Sequence, residues 1–155
     1  MRKKRVYKKH YQPDFIYNRL DVGRFINYLM QDGNKATASK VFYDALEDIK
    51  TKTKEKPIEI FEKALENAAP LLEVASKRIG GANYQIPREV RAERRFFLAC
   101  KWIIEGARSR KGQPMAERLA QELMEASKNE GSAIKKKQNT HRMAEANRAF
   151  AHFAR

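Results

Sequence analysis

Apolar positions along this chain recur mostly at three- and four-residue steps and fall into two-residue alternation only once. Val22, Phe25, Ile26, Leu29 and Met30 follow i, i+3, i+4, i+7, i+8 spacing, which lines one face of a helix. Asp21 is placed to cap its start and Gly33 to stop it. A second stripe, Val41, Phe42, Ala45, Leu46 and Ile49, predicts a helix from about Thr37 to Lys50. The short link between them makes the pair antiparallel neighbours. Lys50 to Lys56 alternates Lys with Thr and Glu and reads as an exposed loop. Pro57 suits the first turn of a third helix, with Phe61, Ala64, Leu65 and Ala68 inward and Pro70 closing it.

The single alternating stretch starts at Leu72. Val74, Ser76 and Arg78 alternate before Gly80-Gly81, and Tyr84 and Ile86 alternate after it. Two glycines supply the positive φ values of a tight hairpin turn, so residues 72–90 are expected to form a β-hairpin. A lone two-stranded ribbon is marginal by itself. Carrying Lys77, Arg78 and Tyr84, it reads as an arm for a partner, with an ordinary surface hairpin between two helices as the alternative. Beyond it, Phe96, Cys100, Ile103, Ile104 and Ala107 form the strongest apolar stripe, a core helix from about Arg91 to Arg108. Pro114 opens a fifth helix carrying Met115, Leu119, Leu123 and Met124 and ending near Gly131. Residues 133–139 read as a flexible basic connector. Thr140 is placed to cap a last helix with Met143, Ala146, Phe150 and Phe153 on its stripe. The fold expected is mainly α: about six helices in a bundle, one domain over 1–155, with a protruding hairpin between helices 3 and 4.

Charge changes what those elements are for. Lys and Arg number 33 against 19 Asp and Glu, giving a formal charge of +14. Such an excess calls for a polyanionic partner, either nucleic acid or an anionic membrane. No run approaches the roughly 18 apolar residues of a membrane span. An interfacial binder needs a basic helix with a spare apolar face, whereas the faces here are committed to one another. Residues 1–13 hold Arg2, Lys3, Lys4, Arg5, Lys8 and Lys9 and no acid, with Tyr7, His10 and Tyr11 between them. That composition predicts a flexible arm that orders against phosphates and stacks on bases. Lys135, Lys136 and Lys137 make a second basic run. Between Asp44 and Glu66 the balance reverses, with seven acids to five bases, the poorest surface for a polyanion. The N-terminal cations lack an apolar run behind them, so the chain reads as mature protein. Cys100 alone excludes an internal disulfide and fits a reducing, cytoplasmic setting.

Catalytic chemistry is not assembled by these residues. His10, His141 and His152 lie in the basic terminal regions, a poor place for a general base. Cys100 falls on the apolar stripe, where a small core hydrophobe is the plain reading. CxxC, HExxH, Walker and GxGxxG spacings are absent, so neither a metal, a cofactor nor a small-molecule substrate is expected. An RNA-modifying enzyme would need a catalytic cluster that these residues do not supply. Two extendable basic segments and a hairpin suit an irregular folded RNA better than a uniform duplex. The alternative left open is a general basic nucleic-acid-binding protein, for packaging or regulation, without a fixed RNA site.

The hairpin RIGGANYQIPREVR, Arg78 to Arg91, resembles the signature hairpin of the universal small-subunit ribosomal protein seven family in its bacterial form. THRMAEANRAFAHF, Thr140 to Phe153, resembles the same family's C-terminal motif. FINYLMQDGNKATASKVFYDAL, Phe25 to Leu46, is similar to its helix–loop–helix, and PDFIYN, Pro13 to Asn18, to its N-terminal motif. Gly33-Asn34-Lys35 stands where the family usually reads Gly-Lys-Lys, which weakens one phosphate contact otherwise expected there. The resemblance implies a six-helix bundle with a hairpin between the third and fourth helices. It implies a structural constituent of the 30S ribosomal subunit, a primary binder of 16S rRNA that nucleates assembly of the head, the 3′ major domain. Its implied place is the subunit interface, near exit-site tRNA and mRNA, beside small-subunit ribosomal proteins nine and eleven. Carried over, Lys77, Arg78, Gly80, Gly81 and Tyr84 belong to the projecting hairpin on the exit-site side. Arg2, Lys3, Lys4, Arg5, Lys8, Lys9, Lys35, Arg91, Arg94, Arg95, Arg108, Arg110, Lys111, Lys135, Lys136 and Lys137 form the rRNA face. Arg142 and Arg148 lie on the RNA side of the C-terminal helix.

Overall fold

The computed structural model describes residues 11–53 and 55–154; the expected arm cations Arg2 to Lys9, with Tyr7 and His10, lie outside them. The chain separates into two compact units, Met1–Ser39 and Lys40–Arg155. The first contains α1 (Leu20–Leu29), in which Val22, Phe25, Ile26 and Leu29 are buried as the spacing predicts. Its N-cap is Arg19 rather than Asp21, which sits in the first turn and bonds Arg19 and the Val22 amide instead. The helix ends four residues before Gly33, whose φ of +79° serves the turn that follows. Asp14 builds the approach to α1: its Oδ2 accepts the Ile16 and Tyr17 amides at 3.1 and 3.0 Å.

α2 (Lys35–Lys52) runs from the first unit into the second. It is longer at both ends than its apolar stripe, so the expected loop begins only at Thr53. Phe42, Ala45, Leu46 and Ile49 are buried, and Phe42 meets Phe61 of α3 (Pro57–Ala68) edge to face at 5.4 Å. Pro57 opens α3 as expected. The hairpin follows as β1 (Leu72–Ile79) and β2 (Ala82–Glu89), antiparallel, with Ala75 opposite Ile86 and Lys77 opposite Tyr84. Gly80 and Gly81 have φ of +57° and +91°, both left-handed, as a two-residue turn between twisted strands requires. α4 (Ala92–Ser109) and α5 (Met115–Ser127) carry the expected stripes, with Cys100, Ile103, Leu119 and Leu123 fully enclosed. α3, α4, α5 and α6 pack against one another.

The largest departure is at the end. The expected connector 133–139 is the first half of α6 (Gly131–Ala146), a continuous helix laid along the hairpin. Thr140 does not cap anything; its hydroxyl donates back to the Lys136 carbonyl inside the helix. Nor does the expected stripe face inward: Met143 is 53% exposed, and Ala133, Ile134 and Ala144 are the buried residues. Phe150 and Phe153 belong to a separate 3₁₀ helix, Arg148–Ala154, packed against β2.

Candidate nucleic-acid interface

The start of α4 and the outer side of α6 hold six of the expected cations of the second unit, Arg91, Arg94 and Arg95 on the first and Lys135, Lys136 and Arg142 on the second. Along α6, Ala133, Ile134, Lys137, Thr140, His141 and Ala144 recur at three- and four-residue steps toward the packed side. Lys135, Lys136 and Arg142 take the complementary, exposed positions, as do Arg91 at the N-cap of α4 and Arg94 in its first turn. Arg108 and Lys111 are exposed at the far end of α4, and Arg148 on the 3₁₀ helix. Lys35, in the first unit, is exposed at the first residue of α2.

Two expected cations and one face of the hairpin are spent inside the protein. Arg110 turns inward, to Glu122 through Nε and NH2 at 3.1 and 2.7 Å and to Glu125. The bond to Glu125 raises its pKa above the ordinary value, against the opposing effect of burial, and Glu122 adds to the rise. Glu122 is fully buried, and its Oε1 also accepts the Ala133 amide at 2.9 Å, closing the start of α6. Gly106 of α4 makes room for this: a Cβ there would lie 2.7 Å from Glu122 Oε1 and from Ser132 Oγ. Arg110 is therefore a packing residue, required because a buried carboxylate without its partner is strongly destabilising. Lys137 donates from Nζ to the Asn67 carbonyl at 2.6 Å. Burial first, then Arg95, lowers its pKa.

The third is the hairpin's own aromatic. Alternation puts Lys77 and Tyr84 on one face and Arg78 on the other. Tyr84 is half-buried against Phe150 and Phe153, with ring centroids 5.2 and 5.7 Å away. Lys77 Nζ donates to the Phe153 carbonyl at 2.8 Å. The C-terminal 3₁₀ helix thus covers this face near the turn, and Arg78, Gly80 and Gly81 remain at the exposed tip.

Arg88 is the cation that the expected rRNA face omitted. It stands opposite Glu73 in the strand register and bonds it at 2.6 Å, beside Arg94 on the same carboxylate. Its signal was present, since β2 alternation places residue 88 across from residue 73, an acid. Arg95 is half-buried, with its Nε enclosed and without a hydrogen-bond partner. Among the described residues, no group of His, Cys, Asp and Glu could hold a metal ion, and no helix is long and apolar enough to cross a membrane.

Residues 1–148 match the family described as ribosomal protein S7p/S5e. The chain belongs to that family. It is 52% identical to the small ribosomal subunit protein uS7 of Thermotoga petrophila, over 99% of each chain. The protein of the same name from Thermosipho africanus is also 52% identical over 99% of each chain. That from Desulfatibacillum aliphaticivorans is 51% identical, over 98% of this chain and 97% of its own. Membership agrees with the elements observed, six helices with one hairpin between α3 and α4. It makes the protein a non-enzymatic, structural constituent of the small ribosomal subunit, and so of the cytoplasm.

Proposed function

We propose that this uS7-family chain is a primary binder of 16S rRNA that nucleates assembly of the head of the 30S subunit. The observation that carries the reading is the segregation of charge in the second unit. Exposed Arg78, Arg88, Arg91, Arg94, Lys135, Lys136 and Arg142 are gathered on the hairpin, the start of α4 and the outer side of α6. Acids outnumber bases on the α2–α3 stretch, Asp44 to Glu66, and again on α5. Arginines supply bidentate phosphate contacts and lysines point charge. Rigid strands and helices hold them in fixed spacing, as a folded RNA needs. In this reading the hairpin tip, through Arg78 and Gly80-Gly81, lies on the side of exit-site tRNA and mRNA. Ribosomal proteins nine and eleven are its neighbours.

Competition titration tests it at near-physiological salt, with a head-domain fragment of 16S rRNA as ligand and duplex DNA and a scrambled RNA as competitors. Specific nucleic-acid sites are typically tighter than non-specific ones by about a thousandfold or more. A preference of that order is expected. Equal, steeply salt-dependent binding to all three would reduce the protein to a general basic binder.

A further inference from the structure

An acid stands in the middle of the cationic ground at the hairpin root. Glu73 faces Arg88 across the strand pair, and its side chain is only 12% exposed. Glu73 Oε1 accepts Arg88 Nε at 2.9 Å and NH2 at 2.6 Å. Oε2 accepts Arg94 Nε at 3.2 Å. The Arg94 guanidinium also lies over the Phe97 ring, 5.2 Å from its centroid. One arginine comes from β2 and the other from the first turn of α4, and both side chains are about half exposed, 56% and 49%. A guanidinium carries five N–H donors on two usable edges. The Glu73 carboxylate takes only the Nε side of each, leaving the NH1 side for another acceptor.

We propose that Glu73 is a positioning residue for anion binding, fixing Arg88 and Arg94 as a two-pronged clamp for a phosphodiester of the RNA backbone. The proposal rests on the RNA-binding reading above and adds a subsite to it. An unrestrained arginine gives up much rotamer freedom when it grips a phosphate; two that are already held give up less. Bulk electrostatics predicts the opposite sign. Deleting one negative charge from a surface already rich in cations strengthens attraction for a polyanion at every distance. The two accounts therefore disagree on direction, not only on size.

Glu73→Gln keeps the side chain's size and removes its charge. Against the head-domain rRNA fragment it is expected to bind about fivefold more weakly, with a log–log salt slope shallower by about one phosphate contact. Glu89→Gln, at an exposed acid at the end of the partner strand β2 and on the opposite face, is expected to bind equally or more tightly. In a background carrying Arg88→Ala and Arg94→Ala, the Glu73→Gln effect is expected to vanish or reverse, which a general loosening of the fold would not produce. Melting curves taken beside the titrations confirm that each variant is folded at the temperature used. Equal or tighter binding by Glu73→Gln, or an unchanged loss in the arginine-free background, overturns the clamp. Wild-type protein that does not prefer the fragment to scrambled RNA overturns instead the reading on which the clamp rests.

Discussion

His141 accepts the Leu71 amide on Nε2 at 3.1 Å, so in the native state that nitrogen carries a lone pair and the neutral ring its proton on Nδ1. Burial first, then the Lys137 charge one helical turn away, holds its pKa below the ordinary 6.5. Unfolded chains take up a proton at this ring before folded ones do. Stability therefore rises with pH through the window below 6.5 and is lost as pH falls through it. The groups that oppose a second charge there are Lys137 on the same helix and, acting on Lys137, Arg95 of α4. His141→Gln cannot titrate in this range. Melting temperatures measured across that window should decline more steeply in the wild-type protein than in the variant; coincident curves would rule the linkage out. The sequence set His141 at the start of a last helix in a basic terminal region, with no inward position assigned to it. The three- and four-residue step that carries it inward passes through Lys137, a residue type that does not announce a packed position.

The same polar step hid the first half of an element. α6 was legible only in part because its inward stripe is Ala133, Ile134, Lys137, Thr140, His141 and Ala144, small and polar residues that leave no apolar periodicity to read. Tertiary bonds from Lys137 to Asn67 and from His141 to Leu71 replace much of the burial that usually marks such a helix. The hairpin was legible to within one residue, since two-residue alternation and Gly80-Gly81 admit few other structures. Its function was not, because the face that presents Tyr84 is covered by a segment more than sixty residues later in the chain. That docking supports a prediction at the scale of one element. Aromatic pairs contribute about 0.5–1.5 kcal/mol each beyond area burial, so Tyr84→Ala should weaken attachment of the 3₁₀ helix by roughly 1–3 kcal/mol. Amides of Arg148–Ala154 are expected to exchange faster with solvent while those of α4 keep their protection. Tyr84→Phe, which keeps both ring contacts, should exchange like the wild type. Unchanged exchange in Tyr84→Ala would show that the 3₁₀ helix is held by something other than this cluster.

For the molecule as a whole, affinity for a polyanion depends on where the net charge of +14 sits, not only on its size. Arg78 at the hairpin tip and Lys136 on the outer side of α6 are exposed and belong to the cationic ground. Lys63 is equally a lysine on a helix, but it lies on α3 beside Glu55 at 3.6 Å, within the stretch where acids outnumber bases. Reversing any one of the three changes the total charge by the same amount. If only the long-range field mattered, Arg78→Glu, Lys136→Glu and Lys63→Glu would weaken RNA binding alike, and high salt would erase the differences. If phosphates are met at fixed places, the first two each lose a contact and its released counterion, and Lys63→Glu does not. Titrating all three against the head-domain rRNA fragment should give losses of about tenfold for Arg78→Glu and Lys136→Glu, with salt slopes shallower by about one, and almost none for Lys63→Glu. Equal losses at all three positions would count against a defined RNA surface on the hairpin and α6, leaving the protein's charge to act only as a field.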